Sequence, residues 1–408
     1  MTASTAPRLD DTRLKEAAER FGTPLYVYHS ERIAWQYERL RTAFAGSPVR
    51  FFYACKSLTN VNILRYIRTL GAGLDCVSIN EVRLGLHTGF RPDEIQFTPN
   101  SVGFHEYEEA HDLGVHVNID SLEMLRRFGK RYGNAYPVCI RLNPHILAGG
   151  NLKISTGHED SKFGISIRQI DEVIRVVEET GLDVEGLHVH TGSDITDVEV
   201  FLDGLKVLLG LSERFPNLRY LDLGSGFKVP YKEGDKQTDI AELGRRFGQE
   251  IENHRHVTGR NLEYWFEPGK FLVSQCGYLV VKANQVKHTP ARVFVGVDSG
   301  FNHLIRPMFY DAYHHITNIT NPSGPLNTYT VVGNICETDT FAWDRALNEV
   351  REDDLLVFHN AGAYGFEMSS RFNSRFRPAE VLVKDGQAIL IRKREDFDDL
   401  LRGQVEVL

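Results

Sequence analysis

Phe51-Phe52-Tyr53-Ala54-Cys55-Lys56-Ser57 is a run of aromatic and small apolar residues that ends on a lysine. An apolar run of this length between polar residues reads as a buried strand, and Lys56 stands where that strand ends. A lysine there either leaves the core along its apolar stem, or is an amine whose pKa burial has lowered, nucleophilic and able to form an imine. One strand does not choose between the two.

The same rhythm continues on both sides. Apolar runs at Val49–Ala54, Leu74–Val77, Ile95–Thr98, His116–Ile119, Pro137–Leu142, Val184–His190, Tyr220–Leu223 and Leu262–Phe266 read as strands. Helical segments fall between them at 60–70, 79–88, 104–112, 121–132, 168–180, 198–213 and 238–256. Eight strands alternating with helices over roughly 230 residues predict an α/β fold, a (β/α)8 barrel. A doubly wound open sheet is the other use of such units, but no GxGxxG follows the first strand. Active sites of these barrels sit at the carboxyl ends of the strands. Here those ends read Lys56, Asp75 with Ser78, Asn100, Arg141, His190, Gly224-Ser225-Gly226 and Glu267. Chemistry at almost every strand end favours the functional reading of Lys56.

Beyond about residue 280 the pattern changes to strands joined by turns. They are Val293–Val297, Thr328–Val332, Asp354–Phe358, Glu380–Val383 and Ala388–Arg392, with a hairpin loop at Lys384-Asp385-Gly386-Gln387. A helix over 11–21, ended by Gly22, and a strand near 24–28 precede the barrel. The expected organisation is a barrel over 34–280 and a second, mostly β domain made of 1–33 plus 281–408.

Composition narrows the classes. With 408 residues, two domains are expected. A net charge of −8 without basic clusters argues against nucleic acid or an anionic membrane as partner. Cysteines 55, 76, 139, 276 and 336 are scattered without CxxC spacing, which favours reduced thiols in a cytoplasm. The acidic N-terminal segment lacks a signal-peptide core, and no apolar run reaches the roughly 18 residues of a membrane helix.

Other groups carry chemistry less specifically. Leu221-Asp222-Leu223-Gly224-Ser225-Gly226-Phe227 is a strand opening into a glycine turn that could cradle an anion, or is a plain tight turn. His188 and His190 lie on one side of their strand by the period of two; core histidines are the commoner outcome, and no third ligand is placed to complete a zinc site. Glu267-Pro268-Gly269-Lys270 puts a carboxylate at a barrel mouth, as an acid, a base or a partner of a protonated ring nitrogen, or as half of a surface ion pair. Arg306 could fork onto a carboxylate. Cys336 beside Glu337 could donate a proton or be an inert thiol, and Tyr364 lies in a glycine loop.

Taken together, these stretches resemble the fold-type III pyridoxal-phosphate decarboxylases. The resemblance runs through Tyr53-Ala-x-Lys56, Gly73-Leu-Asp75, Ile154-Ser-Thr-Gly157, Ser161-Lys-Phe-Gly164 and His190-x-Gly-Ser193. It continues in Asp222-Leu-Gly-x-Gly226, Glu267-Pro-Gly269, Arg306-Pro307, Cys336-Glu337, Gly362-Ala-Tyr364-Gly and Asn373-Ser-Arg-x-Arg-Pro-Ala-Glu380. It covers most of the chain, and the ordered set is specific where each member is weak.

The resemblance implies an alanine-racemase-like barrel carrying pyridoxal 5'-phosphate. Lys56 would hold the cofactor as an imine and assist proton transfer, His190 would stack on its ring, and Glu267 would keep the ring nitrogen protonated. Ser193, the Gly224, Ser225 and Gly226 backbone and Tyr364 would hold the phosphate; Asp75, Arg141 and Gly269 complete the cofactor set. Lys270, Arg306, Tyr310, Glu337 and Tyr364 would bind substrate. Cys336 would protonate the carbanion from the partner subunit, so that the working unit is a homodimer. No metal is expected. The implied reaction is decarboxylation of meso-2,6-diaminopimelate to L-lysine and CO2, in lysine biosynthesis. Ornithine, lysine or carboxynorspermidine are the alternative substrates, and a pyridoxal-phosphate-binding regulatory relative is the non-enzyme alternative. A carboxylate at the ring nitrogen makes a strong electron sink, which suits decarboxylation rather than racemisation. A glycosidase on the same barrel would leave Lys56 and the glycine turn unexplained.

The sequence departs from that pattern twice. Lys270 stands where arginine is usual after Glu-Pro-Gly, keeping the charge but losing the bidentate fork. Glu367-Met-Ser-Ser-Arg371-Phe-Asn373 adds two charges to a stretch that is usually small and polar.

Overall fold

The computed structural model describes residues 6–146 and 161–408. The stretch Ile154–Gly157 lies outside the described residues. By contacts the chain divides into two compact units. One is Gln36–Val229 with Lys236–Phe271; the other is Met1–Trp35, Pro230–Asp235 and Leu272–Leu408.

In the first unit Val49–Ala54 pairs in parallel with Gly73–Cys76 on one side and Glu263–Phe266 on the other. The sheet continues through Ile95–Phe97 to His116–Ile119, and in the other direction through Tyr220–Asp222 and Val184–Val189 to Val138–Asn143. Pairing of His116–Ile119 with Val138–Asn143 closes the ring. This is the expected eight-stranded barrel, with a short ninth strand, Ile165–Ser166, beside the end of Val138–Asn143. Val138–Asn143 and Val184–Val189 are buried at every position, as expected of parallel strands covered on both faces. The helices follow local rules: Asn60, Ser78, Ser121, Asp197 and Asp239 accept backbone N–H bonds at their starts. All seven expected barrel helices are present. One more, Ser30–Ala43, has a weaker pattern and was not anticipated from the sequence.

One interior layer consists of Phe52, Cys139, Tyr220 and Trp265. Tyr220 stacks on Trp265 at 3.5 Å between centroids, and Phe52 meets the indole at 4.4 Å. Two of these rings have a glycine beside them in register. Gly73 pairs with Phe52 and Gly186 with Tyr220. A Cβ on Gly186 would come within 2.4 Å of the Tyr220 ring.

The second unit is a mixed sheet. Its order is Thr340–Asn348, Leu326–Val332, Val293–Val297, Gly277–His288, Leu25–His29, Ala379–Lys384, Gln387–Arg392; Leu355–Phe358 also pairs with Gly277–His288 and carries Ile316–Asn318. The N-terminal strand Leu25–His29 is thus an interior strand, antiparallel to Gly277–His288 and parallel to Ala379–Lys384. All five of its residues are buried. The hairpin at 384–387 forms with Asp385 and Gly386 both at positive φ (50° and 73°), the geometry of a two-residue turn matched to strand twist. The sequence did not point to Gly277–His288, Ile316–Asn318 or Thr340–Asn348. Gly277–His288 is buried through Val281 and largely exposed from Asn284, so neither alternation nor a continuous apolar run marks it.

Gly186→Ala is expected to lower stability by about 1–3 kcal/mol, the usual cost of an inserted methyl in a packed core. Thermal melting checks this; a Tm equal to that of the unchanged protein contradicts the proposed fit between Gly186 and Tyr220.

Candidate active site

Lys56 occupies a short 3-10 turn, Cys55–Ser57, at the carboxyl end of Val49–Ala54. Its Nζ lies 3.7 Å from Asp75 Oδ2, across the end of the neighbouring strand. Asp75 is 1% exposed. Burial, reinforced by the charge of Glu267, raises its carboxyl to about 6, although Lys56 pulls the other way. Pro268 and Gly269 join the Glu267 end to the Lys56 end. Ala54 N donates to Pro268 O at 3.4 Å. A Cβ on Gly269 would lie 2.2 Å from Ser57 Oγ, so only glycine fits that approach.

Glu267 is held on both sides. Gln96 Nε2 donates to Oε1 at 2.8 Å, and His188 Nε2 lies 3.4 Å from the carboxylate. Gln96 Nε2 also donates to Asp222 Oδ2 at 2.9 Å, while Asp222 Oδ1 accepts the Gly224 N–H at 2.8 Å. His188, Asp222 and Glu267 bring three metal-capable atoms within 4.8 Å of one another. With Gln96 donating to both acids, the group reads as a bridged acid pair. Burial pushes both carboxyls up, and for Asp222 the neighbouring Glu267 charge adds to it; Lys56 and Arg141 counteract this at Glu267. Burial holds His188 and His190 well below the usual imidazole range, with Arg141 and Lys56 adding to it, so both rings are neutral. His190 lies just past its strand, and its Nδ1 accepts the Ser225 N–H at 3.2 Å. Two N–H groups of the glycine turn therefore donate within the protein, Gly224 to Asp222 and Ser225 to His190. Gly224 and Gly226 sit at φ 59° and 122°, and a Cβ on Gly224 would meet the His190 ring at 2.5 Å. Arg141, buried in its strand, places its guanidinium 4.7 Å from the Phe163 ring.

Lys270 is also partnered. Its Nζ donates to Asp194 Oδ1 at 2.5 Å and to Ser193 Oγ at 3.1 Å, with the side chain 9% exposed. The lysine that replaces arginine thus forms an ion pair inside the barrel unit, and links Ser193 to the Glu267 segment.

In the second unit Cys336 is exposed, unlike the four other, buried, cysteines. Its Sγ accepts from Asn373 Nδ2 at 3.0 Å. The loop carrying Cys336 and Glu337 is pinned by the buried Asp339, whose carboxylate accepts Phe301 N at 2.6 Å and Ile335 N at 2.9 Å. Arg306 is buried at the start of a short helix, Arg306–Tyr310, 5.4 Å from the Tyr231 ring centroid. Tyr364 adopts a left-handed backbone at φ 57°. Arg371 forks onto Glu395 at 3.0 and 2.8 Å, and Arg377 adds a bond at 2.7 Å. Burial opposes ionisation of Glu395, but these partners outweigh it and hold the carboxyl near 2. The unusual Arg371 is therefore an internal strut.

The barrel brings together Lys56, Asp75, Arg141, His190, Ser193, Gly224, Ser225, Gly226, Glu267, Gly269 and Lys270 within one unit. Arg306, Tyr310, Cys336, Glu337 and Tyr364 belong to the other. Sequence reasoning missed Gln96 and Asp194. Gln96 was findable as a lone amide between Ile95 and Phe97 in a buried strand; Asp194 had no comparable signal. The barrel residues fit pyridoxal phosphate: an amine at Lys56, a buried acid at Glu267, neutral rings at the histidines and a turn at Gly224 and Gly226 whose Cβ-free space no other residue would leave.

The family model described as "Pyridoxal-dependent decarboxylase, pyridoxal binding domain" matches residues 30–274. The diaminopimelate decarboxylase of Methanothermobacter thermautotrophicus is 40% identical, over 95% of this chain and 93% of its own length. A crystal structure of a diaminopimelate decarboxylase is 33% identical and superposes with a TM-score of 0.89, covering 98% of each chain. The Helicobacter pylori diaminopimelate decarboxylase, solved in complex with L-lysine, is 31% identical with a TM-score of 0.87, covering 95% of this chain and 98% of its own. The chain belongs to the family of pyridoxal-dependent decarboxylases, among the diaminopimelate decarboxylases. It is a carboxy-lyase, and pyridoxal phosphate is its cofactor. Among the described residues, no helix is long and apolar enough to cross a membrane.

The raised Asp75 carboxyl has a consequence for the cofactor-free protein. A folded pKa of about 6 against an ordinary 3.8 means that the folded state binds the extra proton. The stabilising contribution is complete below about 4 and is lost as pH rises through 6. Asp75→Asn should therefore gain stability relative to the unchanged protein as pH rises from 4 to 7.5, by up to about 3 kcal/mol. Melting curves at a series of pH values test this; a difference independent of pH rules it out.

Proposed function

We propose that this enzyme decarboxylates meso-2,6-diaminopimelate to L-lysine and CO2. The reading is carried by similarity over nearly the whole chain to proteins of that activity, one of them solved with L-lysine. When bound, pyridoxal phosphate supplies an electron sink for the pair left on Cα as CO2 departs. Lys56 gives the amine that anchors it, and Asp75 keeps that amine in place. Glu267 would hold a proton at the ring nitrogen, and His190 would pack against the ring. Arg141 balances the acids on that rim, and Gly269 lets the Glu267 segment approach Lys56. Ser193, the Gly224–Gly226 turn and Tyr364 receive the phosphate end.

Substrate recognition rests on Lys270, Arg306, Tyr310, Glu337 and Tyr364. The planar fork of Arg306 suits a substrate that ends in a carboxylate, which favours diaminopimelate over an amine-ended diamino acid. Cys336 returns a proton from Sγ to Cα. In the proposed homodimer Cys336 and Glu337 serve the partner's site, which fits the exposure of this one thiol among five free cysteines. Free thiols also fit a reducing cytoplasm.

CO2 release measured separately with meso-diaminopimelate, ornithine, lysine and carboxynorspermidine should favour diaminopimelate; a wide margin for ornithine would overturn the reading of Arg306. Lys56→Ala should abolish turnover. Cys336→Ala should slow it by roughly 10²–10⁴-fold, the usual worth of a positioned proton donor, with cofactor still bound. Unchanged turnover removes Cys336 from the reaction.

A further inference from the structure

Gln96 is the middle residue of Ile95–Phe97 and is 2% exposed. Its single nitrogen spends both hydrogens on carboxylates, one on Asp222 Oδ2 and one on Glu267 Oε1. The reverse orientation would aim a carbonyl at two acids, so the amide has only one satisfactory setting. Asp222 and Glu267 are both buried. Two carboxylates this close, sharing one neutral donor away from water, cannot both stay ionised at low cost.

The surroundings decide which one keeps the charge. Lys56, Asp75, Arg141 and His188 face Glu267; Asp75, Cys139 and Arg141 face Asp222. Arg141 couples most strongly to Glu267 and less to Asp222, and Lys56 also acts on Glu267. His188, neutral, presents Nε2 to the Glu267 carboxylate. Asp222 accepts the Gly224 N–H and half of the Gln96 amide, and is itself hydrogen-bonded to Glu267, which lowers the Glu267 carboxyl. We propose that Gln96 and a neutral, protonated Asp222 are positioning residues that keep the single negative charge of the pair on Glu267, where it faces the cofactor's ring nitrogen. This rests on the assignment of Glu267 above. Neither residue touches the reacting atoms; both act through Glu267.

The test loads the full-length protein with pyridoxal phosphate labelled with ¹⁵N in the ring and follows the nitrogen signal from pH 6 upward until the ring loses its proton. Unchanged protein should read protonated through pH 8. Gln96→Met should lower the protonation midpoint by about one pH unit or more. Asp222→Asn, which mimics the neutral acid, should match the unchanged protein. A Gln96→Met signal that coincides with the unchanged protein overturns the proposal, as does a lowered midpoint in Asp222→Asn. An unprotonated ring in the unchanged protein instead defeats the assignment of Glu267, and this proposal with it.

A second measurement needs neither cofactor nor the Gln96 variant. Infrared spectra of cofactor-free protein with ¹³C-labelled aspartate should contain protonated carboxyl intensity at pH 7.5 that falls in Asp222→Asn. Intensity unchanged by that substitution, or none in the unchanged protein, shows Asp222 ionised and overturns the proposal.

Discussion

The pairing of His116–Ile119 with Val138–Asn143 makes a ring out of what would otherwise be an open sheet. Everything at the candidate site depends on it. Asp75 and Arg141 lie on strands five steps apart along the open order but three steps apart across the closure. All eight strands run parallel, so closure also gathers every carboxyl end on one rim. A side chain there is positioned by strand register rather than by loop conformation. That is why the amine at Lys56, the acid at Asp75 and the bridged acids at Asp222 and Glu267 can be held with so few local devices.

The second constraint is electrostatic. The rim buries the carboxyl groups of Asp75, Asp120, Asp222 and Glu267 beside one buried guanidinium and one partly exposed ammonium. Both histidines are held neutral by burial, with the same cations that relieve the acids adding to it. Such a site is poised by the number of charges as well as by their places, because removing one alters what the others can hold. Lys270 follows the same logic: its ammonium enters the interior only alongside Asp194.

The barrel was legible because each strand is a short apolar run bounded by polar residues and each helix has a periodic face. The β unit was legible only in part. Val293–Val297 and the 384–387 hairpin carry local signals, whereas Gly277–His288 changes from buried to exposed midway and Thr340–Asn348 mixes Trp343, Asp344 and Arg345 into its length. At the site, residues named by strand-end chemistry were readable one at a time. Their partners were not. That Gln96 bridges two acids from distant strands, or that Asp194 meets Lys270, follows from ring closure and loop conformation, which no window of sequence contains. Arg371 illustrates the converse, a conspicuous charge in sequence whose partner, Glu395, makes it structural.

The place of Leu25–His29 in the β unit bears on how the chain is made. The strand emerges early, yet its two neighbours are Gly277–His288 and Ala379–Lys384. At translation rates of about 5–20 residues per second, its second neighbour follows roughly 20–70 s later. The segments of the barrel unit end at Phe271, so its ring can close while this strand still lacks both flanks. Until then an apolar edge of Leu25, Tyr26, Val27 and Tyr28 stands open on the nascent chain. The second unit's sheet is thus complete only once Ala379–Lys384 has been made, and Leu25–His29 needs protection until then.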